Sequence, residues 1–135
     1  MSSRVAVSPP SGWTEKLTYS AAVRGAGLLF LSGMTASGPD GRVMCEGDLA
    51  GQARYIYLEK MLPLLEAAGL GFGDVVETVD YVTTFDGYEK TAAVRREVFG
   101  AAPFPAATGV QVAGLIRPAA LIEIRAIAAY PKEGA

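Results

Sequence analysis

The chain has 135 residues, of which half are apolar and 19% are charged, and this composition predicts a single domain that spans residues 1–135. Its net charge is −2 and its lysines and arginines are scattered, so there is no basic stripe to bind a nucleic acid. No leader-like segment and no apolar run of the roughly 20 residues that span a bilayer appear, so we expect no membrane partner and a cytoplasmic location.

Histidine is absent from the chain, which removes Ser-His-Asp and Cys-His catalytic arrangements and His-ligated metal sites. The single Cys45 cannot form an internal disulfide and has no cation beside it in the sequence to activate the thiol. We therefore expect acid–base chemistry to come from carboxylates, Tyr, Lys, backbone groups or water.

The N-terminal part of the chain predicts an irregular lead-in followed by a β-hairpin. Residues 1–12 are mainly polar and include two successive prolines. Residues 20–24 and 28–34 then predict two strands, because a tight Gly-Ala-Gly turn separates them. Residues 28–31 are all apolar, so both faces of the second strand are expected to be buried.

A long helix is predicted after a turn-rich connection. Asp48 is placed to cap its start, and an apolar stripe at helical spacing continues to residue 68. Gly69 is placed to end the helix. Because Pro63 lies inside this pattern, we expect a kink in the last turns.

A third strand and a second helix follow. Residues 75–85 are rich in β-branched and aromatic side chains, which favour a strand. Asp86, with Glu89 three positions later, indicates a capping box at the start of a helix that ends at residues 99–100. Two further strands between residues 103 and 130 complete the order ββαβαββ.

The last strand carries one carboxylate, Glu123, among apolar neighbours. Alternation along a strand places Glu123 and Arg125 on one face, and Ile122 and Ile124 on the other. Because an ionised carboxylate is costly to remove from water, Glu123 should have a partner, a hydrogen bond or a proton, and it is the candidate catalytic residue. The alternative is a carboxylate that faces solvent from a half-exposed strand.

The predicted elements also bear on assembly. Two helices can cover one face of a sheet, yet residues 28–31 and 126–129 are apolar on both faces of their strands. A second copy of the chain is therefore expected to cover the other face in a closed homo-oligomer. An interface of this kind is a common place for a small-molecule pocket.

Five segments, taken together, resemble one protein family. They are LSGMTASG at a strand end, Asp48 with the Gln52-Ala53-Arg54 that opens the long helix, LLEAAGLGFGDVVETVDYVTTF, FPAATGVQV and LIEIRAIA. In this order, over nearly the whole chain, they are similar to the YjgF/RidA group of reactive intermediate deaminases, also called the L-PSP endoribonuclease-like group. The resemblance implies an α+β fold of the chorismate-mutase type, with a six-stranded mixed sheet backed by two helices. It also implies a homotrimer with a pocket at each subunit interface.

The resemblance further implies an activity. Better-studied members hydrolyse the enamine and imine products of pyridoxal-phosphate enzymes to ketoacids and ammonia, with no metal and no cofactor. Matched residue by residue, the family's catalytic carboxylate corresponds to Glu123, its pocket tyrosine to Tyr19 and its pocket serine to Ser32. The motif arginine that pairs with the substrate carboxylate corresponds to Ala107, and an asparagine of the second helix corresponds to Ala92.

The alanine at position 107 decides how much of that activity is predicted. A guanidinium forms a bidentate, charge-assisted pair with a carboxylate, and an alanine methyl cannot form such a pair. The chain is therefore not expected to be an ordinary 2-imino acid deaminase. We expect a Rid-type enzyme in which Glu123 moves a proton on an imine, an enamine or a similarly polarised intermediate, by hydrolysis or by a non-hydrolytic step such as isomerisation or cyclisation. The altered pocket favours a bulkier, less anionic ligand.

Further residues are expected around this ligand. Gly33, Thr108 and Gly109 should orient the ligand or a water, and Arg125, with Arg117 as a second candidate, is a possible substitute for the missing cation. Two alternatives remain. One is an enamine or imine deaminase with such a substitute cation, and the other is a trimer that binds a ligand and has lost the chemistry.

Overall fold

The computed structural model describes residues 3–13 and 16–132. Six strands, numbered β1 to β6 in chain order, form one sheet, and every neighbouring pair is antiparallel except β4 and β5. The strands lie in the order β1-β2-β3-β6-β4-β5. This mixed sheet with helices on one face confirms the predicted fold class. The strand bounds are Val5–Val7, Ala22–Gly25, Leu28–Met34, Val75–Val82, Ala106–Gln111 and Ile122–Ala129.

The first strand corrects the prediction of an irregular lead-in. Val5–Val7 pairs antiparallel with β2, so that Val5 lies opposite Arg24 and Val7 lies opposite Ala22. A three-residue strand at the edge of a sheet is too short to show an alternating pattern, and two prolines follow it closely. The sequence therefore gave no signal that distinguished it from a loop.

The long helix consists of α1 (Leu49–Tyr55), a π turn (Ile56–Met61) and α2 (Leu62–Ala67) in direct succession. Its predicted N-cap is confirmed, because the Gly51 N–H donates to Asp48 Oδ1 at 2.9 Å. The π turn ends two residues before Pro63, whose ring would clash with a carbonyl in a regular helix. Among the described residues, no helix is both long enough and apolar enough to cross a membrane.

The second helix begins later than predicted. A 3₁₀ turn (Tyr88–Lys90) leads into α3 (Thr91–Phe99), and neither start has a side-chain cap. The capping-box prediction at Asp86 is wrong, because Gly87 adopts a left-handed conformation with φ of 80° and turns the chain before the helix. The Asp86 N–H instead donates to Thr84 Oγ1 at 3.0 Å.

The core lies between the helices and one face of the sheet. Along β6, Ile122 and Ile124 are fully buried on this face. The opposite face, here called the open face, is covered by no helix among the described residues, and Phe30 on it is 45% exposed. Within one chain only the helix-side face of residues 28–31 is buried, because the helices pack on one side, and burial of the other face by a second copy stays a prediction. Further buried apolar residues of the core are Leu29, Leu31, Ile56, Met61, Leu64, Leu65 and Val82.

Candidate functional site

Glu123 lies on the open face, in a strand that has partners on both sides. Tyr81 of β4 is directly opposite it. Burial alternates along β6, so Glu123 and Arg125 share the face opposite to the buried isoleucines. The Glu123 side chain is half-buried, and it forms no hydrogen bond or ion pair with any residue that the structure describes. Its carboxylate is thus partly desolvated and has both oxygens free for a ligand or a water.

The Glu123 carboxylate rests against the backbone of Gly33. Pairing of β3 with β6 shifts between Leu31 and Met34, which leaves Ser32 and Gly33 together opposite Arg125 in a bulge. A Cβ atom at Gly33 would collide with the Glu123 carboxylate. Glycine is therefore required here for the close approach, and the structure brings Gly33 and Glu123 together.

We expect Gly33→Ala to displace the Glu123 carboxylate and to reduce any Glu123-dependent turnover by about tenfold or more, because small misplacements of a catalytic group are costly. The fold should persist, since the colliding atoms belong to the end of a flexible side chain. Gly25→Ala in β2 is the matched control, because a Cβ there meets no atom within 4 Å. Equal turnover of the two variants would show that the position of the carboxylate does not matter.

Ser32 is hydrogen-bonded to the segment that directly follows Tyr19, and its backbone N–H donates to the carbonyl of Ala21 at 2.9 Å. Ser32 Oγ donates to the carbonyl of Ser20 at 2.7 Å, which ties the bulge of β3 to the segment before β2. Tyr19 is adjacent to that carbonyl in sequence and is 57% exposed. Its ring packs edge-on against Trp13, with 5.3 Å between ring centroids. Ser32 therefore holds the Tyr19 segment next to the strand end that carries Gly33.

Ala107 and Gly109 lie on the other side of the sheet. In the parallel pair of β4 and β5, Thr78 is beside Ala107 and Asp80 is beside Gly109. Thr78 and Asp80 are buried on the helix side, so Ala107 and Gly109 face that side as well. One chain therefore does not bring position 107 and the Glu123 carboxylate together.

Thr108 and Arg125 lie on the open face, whereas Arg117 lies in a loop. Thr108 lies beside Val79, which lies opposite Arg125, so the three form a row across the open face. Arg125 is exposed and has no ion pair within residues 3–13 and 16–132. Arg117 lies in the loop before β6, where its Nη1 donates to the carbonyl of Gly41 at 2.9 Å. Neither arginine lies on the helix-facing side of β5.

A buried polar cluster was missed by the sequence reasoning. Asp80 of β4 has a side chain that is only 3% exposed, and the Tyr88 hydroxyl donates to its Oδ2 at 2.8 Å. Arg95 Nη1 lies 3.6 Å from the same oxygen, while Oδ1 has no partner within the described residues. The sequence contained a signal for this cluster. Like Glu123, Asp80 is a carboxylate in a strand of largely apolar residues.

Burial governs the protonation of this cluster. It raises the pKa of the Asp80 carboxyl above its ordinary value, while the hydrogen bond from Tyr88 and the charge of Arg95 act in the opposite direction. Burial, together with the hydrogen bond to Asp80, raises the pKa of Tyr88 to about 12. Tyr88 therefore stays a hydroxyl donor at neutral pH. Its ring lies under β5, since a Cβ at Gly109 would be 2.6 Å from Tyr88 Oη.

Comparison with known proteins adds the following similarities. The family model described as Endoribonuclease L-PSP matches residues 14–130. A RutC family protein of Pyrococcus horikoshii is 34% identical over 110 residues, which cover 82% of this chain and 85% of that protein. The RutC family protein YjgH of Escherichia coli is 34% identical over 116 residues, which cover 85% of each chain.

Solved structures show the same similarity. The structure of protein YjgH matches with a TM-score of 0.83 at 32% identity, and the match covers 98% of this chain and 100% of that one. A member of the YjgF/YER057c/UK114 family from Mycobacterium tuberculosis matches with a TM-score of 0.76 at 35% identity, and the match covers 94% and 99% of the two chains. The similarity therefore includes both the strand of Glu123 and the strand of Ala107.

Proposed function

Since this chain belongs to the endoribonuclease L-PSP family, the YjgF/RidA group that its motifs resemble, we propose that it is a small-molecule enzyme that uses Glu123 for acid–base catalysis. The observation that carries the proposal is the half-buried Glu123 carboxylate, held against Gly33 with no partner among the described residues. A carboxylate in such a setting is placed to accept and return a proton. No metal and no cofactor take part in the proposed chemistry.

The proposed substrate is an imine, an enamine or a similarly polarised intermediate. In the hydrolytic case a water adds to the C=N carbon, and Glu123 takes a proton from this water. The nitrogen gains protons and leaves as ammonia while the C=O bond forms, so that one water is consumed for each ammonia released. In a non-hydrolytic case Glu123 takes a proton from one atom of the intermediate and returns it to another, which gives an isomer. In a cyclisation the atom that loses the proton adds to the C=N carbon, and the proton is returned to the nitrogen. Backbone groups at Gly33 and Gly109, with the Thr108 hydroxyl, orient the ligand.

Ala107 argues against ordinary deamination of small 2-imino acids. Its methyl group cannot form the bidentate pair that would hold a carboxylate close to β5. The side chain of residue 107 is exposed, so the space that an arginine would fill is open to a bulkier ligand. RNA is not favoured as the substrate, because the chain has a net charge of −2 and no basic stripe.

The proposed site needs more than one copy of the chain. Glu123 and Gly33 lie on the open face, whereas Ala107 and Gly109 face the helix side, so a pocket that holds both sets is built from two copies. The open face presents apolar surface to a partner, including the exposed ring of Phe30 beside Ile127. The assembly is a homotrimer with a pocket at each interface, and a cytoplasmic location stays a prediction.

We expect light scattering to give the mass of a trimer at micromolar concentration, because the apolar open face is unfavourable in water. Phe30→Asp places a charge on that face and should lower the mass to that of a monomer. Ile116→Asp is the matched control, since Ile116 is 95% exposed in a loop of the chain. A stable wild-type monomer would remove the trimer and the interface pocket together.

A further inference from the structure

The α3 helix places a cation on the side of the sheet where position 107 lacks one. Arg95 Nη1 lies 2.9 Å from Thr91 Oγ1 and 3.6 Å from Asp80 Oδ2. Asp80 is the register neighbour of Gly109, and Ala107 faces the same side as Gly109. The Arg95 guanidinium therefore lies in the neighbourhood toward which a side chain at position 107 points.

The guanidinium of Arg95 keeps donors for a ligand. A guanidinium has five N–H groups, and Nη1 is the atom that donates to Thr91 Oγ1 and lies 3.6 Å from Asp80 Oδ2. The Arg95 side chain is 27% exposed, against 3% for Asp80, so part of the Arg95 side chain reaches the surface while the carboxylate is buried. Nε and Nη2 are thus free to form a bidentate pair with an incoming carboxylate.

The groups that contact Arg95 are held in place by hydrogen bonds of their own. The Thr91 hydroxyl, which accepts from Arg95, donates to the carbonyl of Tyr88 at 2.7 Å. The Tyr88 hydroxyl in turn donates to Asp80 Oδ2 at 2.8 Å. A cation held by such a network loses little conformational freedom when it binds an anion, which favours affinity.

Other arginines are less suited to this role. Arg54 forms an exposed ion pair with Glu97, with 2.7 Å between Nη2 and Oε2. Arg117 is hydrogen-bonded to the loop at Gly41, and Arg125 lies on the open face. Arg96, next to Arg95 on α3, is exposed. Among these four arginines and Arg95, only Arg95 both lies on the helix side of the sheet and has a guanidinium that its neighbours hold in place.

We infer that Arg95 binds a carboxylate of the ligand in place of the guanidinium that is absent at position 107, and that Asp80 and Tyr88 are its positioning residues. This inference deepens the proposed function and rests on it. Arg95 projects from the helix layer and not from β5, and Ala107 is exposed. The inferred ligand therefore carries a carboxylate, which replaces the expectation of a less anionic ligand, and this carboxylate binds to the helix layer and not to a side chain of β5. The substrate class is an imine or enamine of a carboxylic acid with a body longer than that of the smallest 2-imino acids.

Calorimetric titration with 2-oxohexanoate and with 2-hexanone tests the assignment, because the two probes differ in the carboxylate alone. The wild-type protein should prefer the acid. Arg95→Gln should weaken binding of the acid by about tenfold or more, the usual size of a charge-assisted hydrogen bond, and leave binding of the ketone unchanged. Arg95→Lys should recover part of the preference, since it keeps the charge and loses the planar fork. Arg96→Gln is the matched control and should bind both probes as the wild type does.

Three results would overturn the assignment. The first is a wild-type protein without preference for the acid, and the second is a preference that Arg125→Gln removes while Arg95→Gln retains it. The third is an Arg95→Gln variant that weakens the acid and the ketone equally, which would show a structural role. The proposed function is tested separately by Glu123→Gln, which should leave binding of 2-oxohexanoate intact and lower turnover by about a hundredfold. Unchanged turnover of this variant would contradict the proposed function without bearing on Arg95.

Discussion

Ala107→Arg should give the protein hydrolysis of 2-iminopropionate that the wild type performs slowly. The new guanidinium would lie on the exposed edge strand, where a long side chain fits without displacing the core. It would pair with the small substrate's carboxylate directly, a contact of about 1.5–3 kcal/mol, so we expect a gain of roughly tenfold to a hundredfold in kcat/KM. The imine can be generated in the assay from alanine by an amino-acid oxidase, with release of pyruvate as the signal.

Ala106→Arg is the matched control for this gain. Residue 106 is the adjacent position of the same strand, is also exposed, and lies on the other face of β5. It adds the same charge, so any general effect of a cation on the substrate would appear in both variants. Rapid hydrolysis of 2-iminopropionate by the wild type, or an equal gain in both variants, would contradict the argument from position 107.

Much of the fold was predictable because its signals are local. Alternation around Glu123 placed that residue on the face opposite to Ile122 and Ile124, and the structure confirms this placement. The side chain of Asp48 caps the long helix as its position suggested. Motifs spread over nearly the whole chain fixed the family, which the match to residues 14–130 confirms.

The features that were missed depend on contacts between distant segments or on one backbone angle. The β1 strand has no alternating pattern of apolar residues, and it forms by pairing with the edge strand β2. Gly87 separates Asp86 from the helix through a left-handed conformation, which the Asp-Glu spacing does not reveal. The cluster of Asp80, Tyr88 and Arg95 requires that α3 pack on β4 beside β5. Spacing along the sequence cannot show such a meeting of three elements.

Glu123→Gln should lower turnover by about two orders of magnitude or more, because the amide cannot exchange the proton that the carboxylate moves. The variant should keep its fold and its assembly, since Gln has nearly the same shape and Glu123 has no partner among the described residues that would be left unpaired. Glu77→Gln is the matched control. Glu77 is another half-buried glutamate of the sheet, and its neighbour in β6 is Ile127 on the open face.

The most direct measurement is the steady-state kcat of Glu123→Gln relative to the wild type. The substrate is whichever imine the wild type consumes fastest in a panel produced by amino-acid oxidases, and probe affinity is measured in parallel. Acid–base catalysis by Glu123 predicts a fall in kcat of about a hundredfold with affinity for 2-oxohexanoate retained, and no fall for Glu77→Gln. An unchanged kcat for Glu123→Gln, or a wild type that consumes none of the imines, would contradict catalysis by Glu123 and favour a trimer that binds a ligand without catalysis.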